Sequence, residues 1–256
     1  MTANFKTLLF FLFFTMNCAI AQTISTGAAI NRAGKQRSLV IKMAKDYVAI
    51  GSGVKVETAM QELDEAASTF NENLRDLQIY SKNKETTDAI NFTGVLWAKF
   101  RINVMQTPDV DSAEKIMNEA NYLVNACNIV VDKIVLASGL KTAVLPNMCG
   151  KQRSYAQKLA LLFFADKWQV PYKNIDKEIQ ENIVAFENGL TALANSPENT
   201  DEINAILKFQ QSEWAFVKKS FENKEGTAML GSIFSSTNMM LKDFDRAVTL
   251  YEKLVR

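Results

Sequence analysis

Gly34-Lys35-Gln36-Arg37-Ser38 and Gly150-Lys151-Gln152-Arg153-Ser154 are one five-residue word written twice in a chain of 256 residues. A shared word of that length arises by chance on the order of once in a hundred chains of this size, so it points to an internal duplication. The same offset aligns Asn31 with Asn147, Lys42 with Lys158, Ala44 with Ala160, Glu62 with Glu178 and Glu65 with Glu181. It also aligns Phe70 with Phe186, Leu74 with Leu190 and Leu77 with Leu193. One residue of slippage later, Trp97-Ala98 matches Trp214-Ala215 and Asn121 matches Asn238.

Around the repeated word, apolar residues recur at helical spacing and strand signals are nearly absent. The pattern predicts helices at about 27–50, 55–80, 86–106 and 110–141, then about 145–169, 172–195, 200–222 and 226–255. Punctuation falls where it should: Gly51-Ser52-Gly53, Ser81 to Lys84, Thr107-Pro108-Asp109, Pro171, Asn195-Ser196-Pro197 and Glu225-Gly226. The expected fold is all-α: eight helices in two tandem antiparallel four-helix bundles, residues 22–141 and 142–256. Phe70, Leu74, Leu77, Trp97 and Phe100 form the expected core of the first. Phe186, Leu190, Leu193, Trp214 and Phe216 form that of the second.

The first 21 residues read as a secretory signal. Lys6 supplies the charge, Leu8 to Phe14 is an uninterrupted apolar run, and Ala19-Ile20-Ala21 offers a small-x-small cleavage site before Gln22. Cys18 raises a lipid-anchored alternative, but Thr15-Met16-Asn17 matches the leucine-small-small context of such sites poorly. No second apolar run of membrane length is evident, so the expected location is periplasmic or secreted. There disulfides are allowed, yet Cys127 and Cys149 would lie about 33 Å apart on a continuous helix and read as buried hydrophobes.

Composition narrows the function. With 29 basic and 28 acidic residues there is no clustered charge to hold nucleic acid. The chain has no His, which removes the commonest general base and metal ligand. Three Cys without a close pair make no zinc site. No nucleophile, base and orienting group assemble from its motifs, so no enzyme, metal or cofactor is expected.

The apolar seam of the first helix runs Ile30, Ala33, Val40, Ile41, Ala44, Tyr47 and Val48, and its heptad places Arg37 where a leucine would stand. In the second half Arg153 shares a face with Pro146, Cys149, Ala156, Ala160 and Phe163. A guanidinium cannot shed its charge, and an unpaired one costs several kcal/mol to bury. Three resolutions stand open. A carboxylate from a neighbouring helix pairs with it, Glu62, Glu65, Glu178 and Glu181 being the repeated acids. Or the side chain snorkels outward. Or the two guanidinium forks hold a small oxyanion, helped by the positive ends of the first helices.

The boxes Asn31, Gly34, Arg37, Lys42 and Asn147, Gly150, Arg153, Lys158 resemble the box that opens the periplasmic sensor domain of the NarX and PilJ type. Those domains form the N-terminal part of nitrate-responsive histidine kinases and of type IV pili methyl-accepting chemotaxis transducers. The resemblance implies that nitrate or nitrite binds between two first helices. The box arginine would clamp the anion and the box glycine would give backbone access. In the family two subunits supply the two boxes; here one chain would supply both, although whether they converge depends on how the bundles pack. The expected function is an exported, non-enzymatic sensor-like module with Asn31, Gly34, Arg37, Asn147, Gly150 and Arg153 at its ligand. It would act on a separate membrane signalling or envelope protein, alone or as an oligomer. The rival is a helical scaffold without a ligand, its arginines in internal salt bridges with Glu62 and Glu178 or their neighbours.

Overall fold

The computed structural model describes residues 24–81, 83–140, 143–222 and 229–255. The expected signal segment, Cys18 and the Glu225-Gly226 break lie outside the described residues. Eight helices account for the fold, and no strand occurs among the described residues. They are α1 Thr26–Gly51, α2 Val56–Tyr80, α3 Lys84–Val104, α4 Val110–Ser138, α5 Val144–Lys167, α6 Ile175–Ala194, α7 Asp201–Glu222 and α8 Leu230–Glu252.

Local chemistry explains the ends. Ser25, Asn83 and Asp109 each accept a hydrogen bond from a backbone N–H in the first turn of α1, α3 and α4, and Thr200 does the same for α7. The α4 helix stops at Ser138 because Gly139 adopts φ 62°, a left-handed cap that glycine tolerates. The break between the halves therefore falls at Gly139, slightly before the expected end at 141. Pro146 sits in the first turn of α5, where its missing N–H costs no helical bond.

In the first half α1 packs on α2 and α4, α2 on α3, and α3 on α4. The second half repeats this: α5 on α6 and α8, α6 on α7, α7 on α8. The halves join through an extensive contact of α1 with α5. A Cβ on Gly34, early in α1, would meet Arg153 of α5, and one on Gly51, at the end of α1, would lie 2.1 Å from the ring of Trp168 just past the end of α5. The two first helices therefore run parallel. A side chain at position 51 would force that indole to shift.

This central position explains why α1 is buried on nearly every face, Gln36, Lys45 and Asp46 included, rather than along one seam. Equivalent aromatic pairs fill the flanks. Phe70 stacks on Trp97 with ring centroids 4.2 Å apart, and Phe186 packs tilted against Trp214 at 4.5 Å. The indole of Trp97 donates to Asn71 and that of Trp214 to Glu187. Two expected core positions differ. Leu74 is only partly buried, and Phe216 is 53% exposed while Val217 occupies the buried place. The one-residue slip between the repeats puts Val217, not Phe216, opposite Phe100, and one residue turns a helix by about 100°.

By length and composition α4 is apolar enough to cross a membrane, contrary to the expectation that no such run follows the leader. Between Ala120 and Ser138 only Asp132 and Lys133 are charged. Leu123, Cys127, Val130, Val131 and Ile134 of this stretch are buried, and the helix packs on α1 and α3.

Candidate functional site

Side chains on a helix lean toward its N-terminus, so Arg37 folds back over Gly34 and Arg153 over Gly150. Because α1 and α5 run parallel, both arginines arrive at the same level. A Cβ on Gly34 would lie 3.0 Å from Nη2 of Arg37 and 3.3 Å from Nη2 of Arg153. One on Gly150 would lie 3.1 Å from each. The two glycines form a cradle that a methyl group would fill, and two buried guanidinium groups meet in it. Each arginine is 1% exposed.

Their partners cross between the repeats. Arg37 Nη1 donates to Oδ1 of Asn147 at 2.8 Å, and its Nη2 to the Asn147 carbonyl at 3.3 Å. Arg153 Nη1 donates to Oδ1 of Asn31 at 3.2 Å, and its Nη2 to the Asn31 carbonyl at 3.5 Å. All six expected ligand residues, Asn31, Gly34, Arg37, Asn147, Gly150 and Arg153, are thus brought together. The glycines contribute room rather than free N–H groups, since both lie inside helices.

The fourth helix of each half closes the site, and there the repeats differ. Asn128 of α4 accepts from Arg37 Nη1 at 3.1 Å. At the equivalent place on α8, Asp245 accepts from Arg153 Nη1 at 2.5 Å and pairs with Lys35 at 3.1 Å. Arg153 therefore has a carboxylate, whereas among the described residues every hydrogen-bond partner of Arg37 is uncharged. Burial, together with repulsion from Arg153, lowers the Arg37 pKa to about 10; Asp132, exposed on α4, opposes this through space. Burial alone would raise Asp245, but Arg153 and Lys35 hold it below the usual aspartate range. Arg153 Nε, also buried, has no hydrogen-bond partner among the described residues. The acceptors Asn31, Asn128, Asn147 and Asp245 are only partly buried and form the solvent side of the site.

The repeated acids sit elsewhere. Glu62 binds Lys42, lies 3.6 Å from Lys45 and accepts from Asn238 of α8 at 2.8 Å. Glu178 pairs with Lys158 at 2.9 Å and accepts from Tyr172, which in turn accepts from Asn121 of α4. Glu65 accepts from Gln61, and Glu181 pairs with Lys177. The alternative in which the box arginines pair with Glu62 and Glu178 is not what the structure has: those acids hold the box lysines. The reason is topological, because α2 runs back along α1 and sets Glu62 beside the later Lys42 and Lys45. The idea that helix N-termini assist is corrected for α1. Its first turn ends two turns before Arg37, and the helix dipole acts mainly within the end turn.

A charge cluster not anticipated from the sequence lies alongside. Lys45 and Asp46, both fully buried, pair at 3.0 Å, and Lys45 donates to Asn238 and stands 4.0 Å over the ring of Phe234. Burial pulls Lys45 down to about 8 despite Asp46, and pushes Asp46 up. Cys127 and Cys149 are free and buried, as expected, with both thiols pushed up to about 12 by burial. Asn128 and Asp245 were missed. Carrying the slipped alignment of Asn121 with Asn238 two turns further pairs them.

Among the described residues no group of His, Cys, Asp or Glu could hold a metal ion. Comparison with known protein families, with curated proteins and with solved structures finds no match.

Proposed function

We propose that the chain is an exported, non-enzymatic sensor-like module that binds one small oxyanion between Arg37 and Arg153. By the box resemblance to NarX- and PilJ-type domains, that anion is nitrate or nitrite. The observation that carries this reading is the meeting of two buried guanidinium groups over the Gly34–Gly150 cradle, only one of which, Arg153, has a carboxylate partner. Like charges in low dielectric repel strongly, and an oxyanion with several acceptor oxygens relieves that repulsion while accepting charge-assisted hydrogen bonds. The free donor Nε of Arg153 adds a further place for it.

Binding would tighten the α1–α5 contact, the main joint between the halves. That change would pass to a separate membrane signalling or envelope protein. The test is thermal unfolding of the chain from Gln22 in chloride-free buffer. At a ligand concentration of about 100 Kd, binding stabilises by about 2.7 kcal/mol, which raises Tm by roughly 5 °C for a chain of this size. Nitrate or nitrite should produce that rise. Arg37→Met, which fills the space without the charge, should abolish it while remaining folded.

A second reading is favoured by the Arg153–Asp245–Lys35 cluster. It makes the chain a scaffold whose buried charges are satisfied internally, without Glu62 or Glu178. Under it, neither anion moves Tm.

A further inference from the structure

The slipped alignment of the repeats makes Asn128 in α4 the counterpart of Asp245 in α8. The rest of the site is reciprocal: Arg37 with Arg153, Asn31 with Asn147, Gly34 with Gly150, and each arginine served by the other repeat's asparagine. The oxygen that α4 or α8 sets against each arginine is therefore where the two halves of the site differ in charge. On the α8 side that oxygen belongs to a carboxylate, which Lys35 also holds. On the α4 side it belongs to a neutral amide at 3.1 Å.

Resting on the reading above, we infer that Asn128 and Asp245 together set the charge and number of the ligand. Asp245 is a built-in anion that satisfies one guanidinium, and Asn128 leaves the other available, so the site takes a single monovalent oxyanion bound chiefly by Arg37. Lys35, 36% exposed, is screened by solvent; the buried guanidinium groups, two against one carboxylate, therefore leave one net positive charge. A monoanion neutralises it, whereas a dianion such as sulfate would bury an excess negative charge beside Asp245. Asp245 thus acts as a specificity-determining residue without touching Arg37. Asn128 is close to isosteric with the aspartate that would close the second half of the site.

Isothermal titration of the chain from Gln22 with sodium nitrate and with sodium sulfate, in chloride-free buffer, tests this. Wild type should bind one equivalent of nitrate and bind sulfate at least about tenfold more weakly. Asn128→Asp supplies Arg37 with its own carboxylate. It should lose nitrate affinity by about tenfold or more, and its Tm should not fall, since a buried charge gains a partner. Asp245→Asn should bind nitrate about tenfold more tightly, still at one equivalent because both guanidinium groups share one cradle, and should accept sulfate. Nitrate binding by wild type that Asn128→Asp retains unchanged would overturn the inference while leaving the anion site standing. No heat with wild type would overturn both. Should Asn128→Asp fail to fold, Asp245→Asn decides alone: unchanged selectivity for nitrate over sulfate would overturn the inference.

Discussion

The side-chain oxygen of Asn147 accepts a 2.8 Å hydrogen bond from Arg37, although 110 residues separate them, and Asn31 accepts in the same way from Arg153. Each asparagine serves the arginine of the other repeat. The duplicated word is therefore a joint: its residues complete one another across α1 and α5, as two subunits would across a dimer axis.

The two asparagines should not be equally costly to remove. Arg37 has no carboxylate, so Asn147→Ala strips one of its few acceptors and should destabilise by about 2 kcal/mol, the scale of a hydrogen bond to a charged group. Arg153 keeps Asp245, so Asn31→Ala should cost less, even though Asn31 also donates to the partly exposed Glu252. Urea unfolding of both variants checks the order.

The cradle should reject a methyl group. Alanine at Gly34 or Gly150 gains about 1 kcal/mol of helix propensity but places Cβ 3.0 to 3.3 Å from two buried Nη2 atoms. In each single variant the expected result is a lower Tm than wild type and loss of the nitrate-dependent rise. A higher Tm with the rise intact would show that the guanidinium groups move aside freely.

The helix boundaries, the duplication and the paired Phe–Trp cores were legible because each is written in local spacing or in self-similarity, whereas the convergence of the six box residues was not, because it depends on how α1 packs against α5. Phe216 was misplaced because a single inserted residue rotates α7 relative to α3, and comparison across the slip has to be strict. The partners of the arginines were not legible as acids three turns away, because which turn of α2 faces which turn of α1 depends on the α1–α2 connection. Asp245 and Asn128 lie on helices contributed late in each half, where only the slipped alignment links them.

The alkaline behaviour of the buried lysine follows from its surroundings. Lys45 releases its proton near 8 in the folded chain, against 10.5 when unfolded. Between those values the unfolded chain holds more protons, so this group's contribution to stability rises with pH through that window. Lys45→Leu introduces the residue found at the equivalent Leu161. Wild type should therefore gain stability relative to this variant from pH 8 to 10.5, as read by urea midpoints at several pH values. A constant difference would mean that Lys45 stays charged throughout.

The two thiols should be inert. Both are fully buried with pKa values raised to about 12, so neither supplies thiolate near neutral pH. An aromatic disulfide reagent should label Cys127 and Cys149 at the rate of global unfolding and no faster, with both appearing together on adding denaturant.

The most direct test of the account is a crystal structure of the chain from Gln22 grown in chloride-free sodium nitrate. The account predicts planar triangular density over the Gly34–Gly150 cradle, with oxygens about 3 Å from guanidinium nitrogens of both Arg37 and Arg153 and nearer to Arg37. Nitrate-grown crystals in which the two guanidinium groups keep their protein partners alone, with no such density between them, would contradict it.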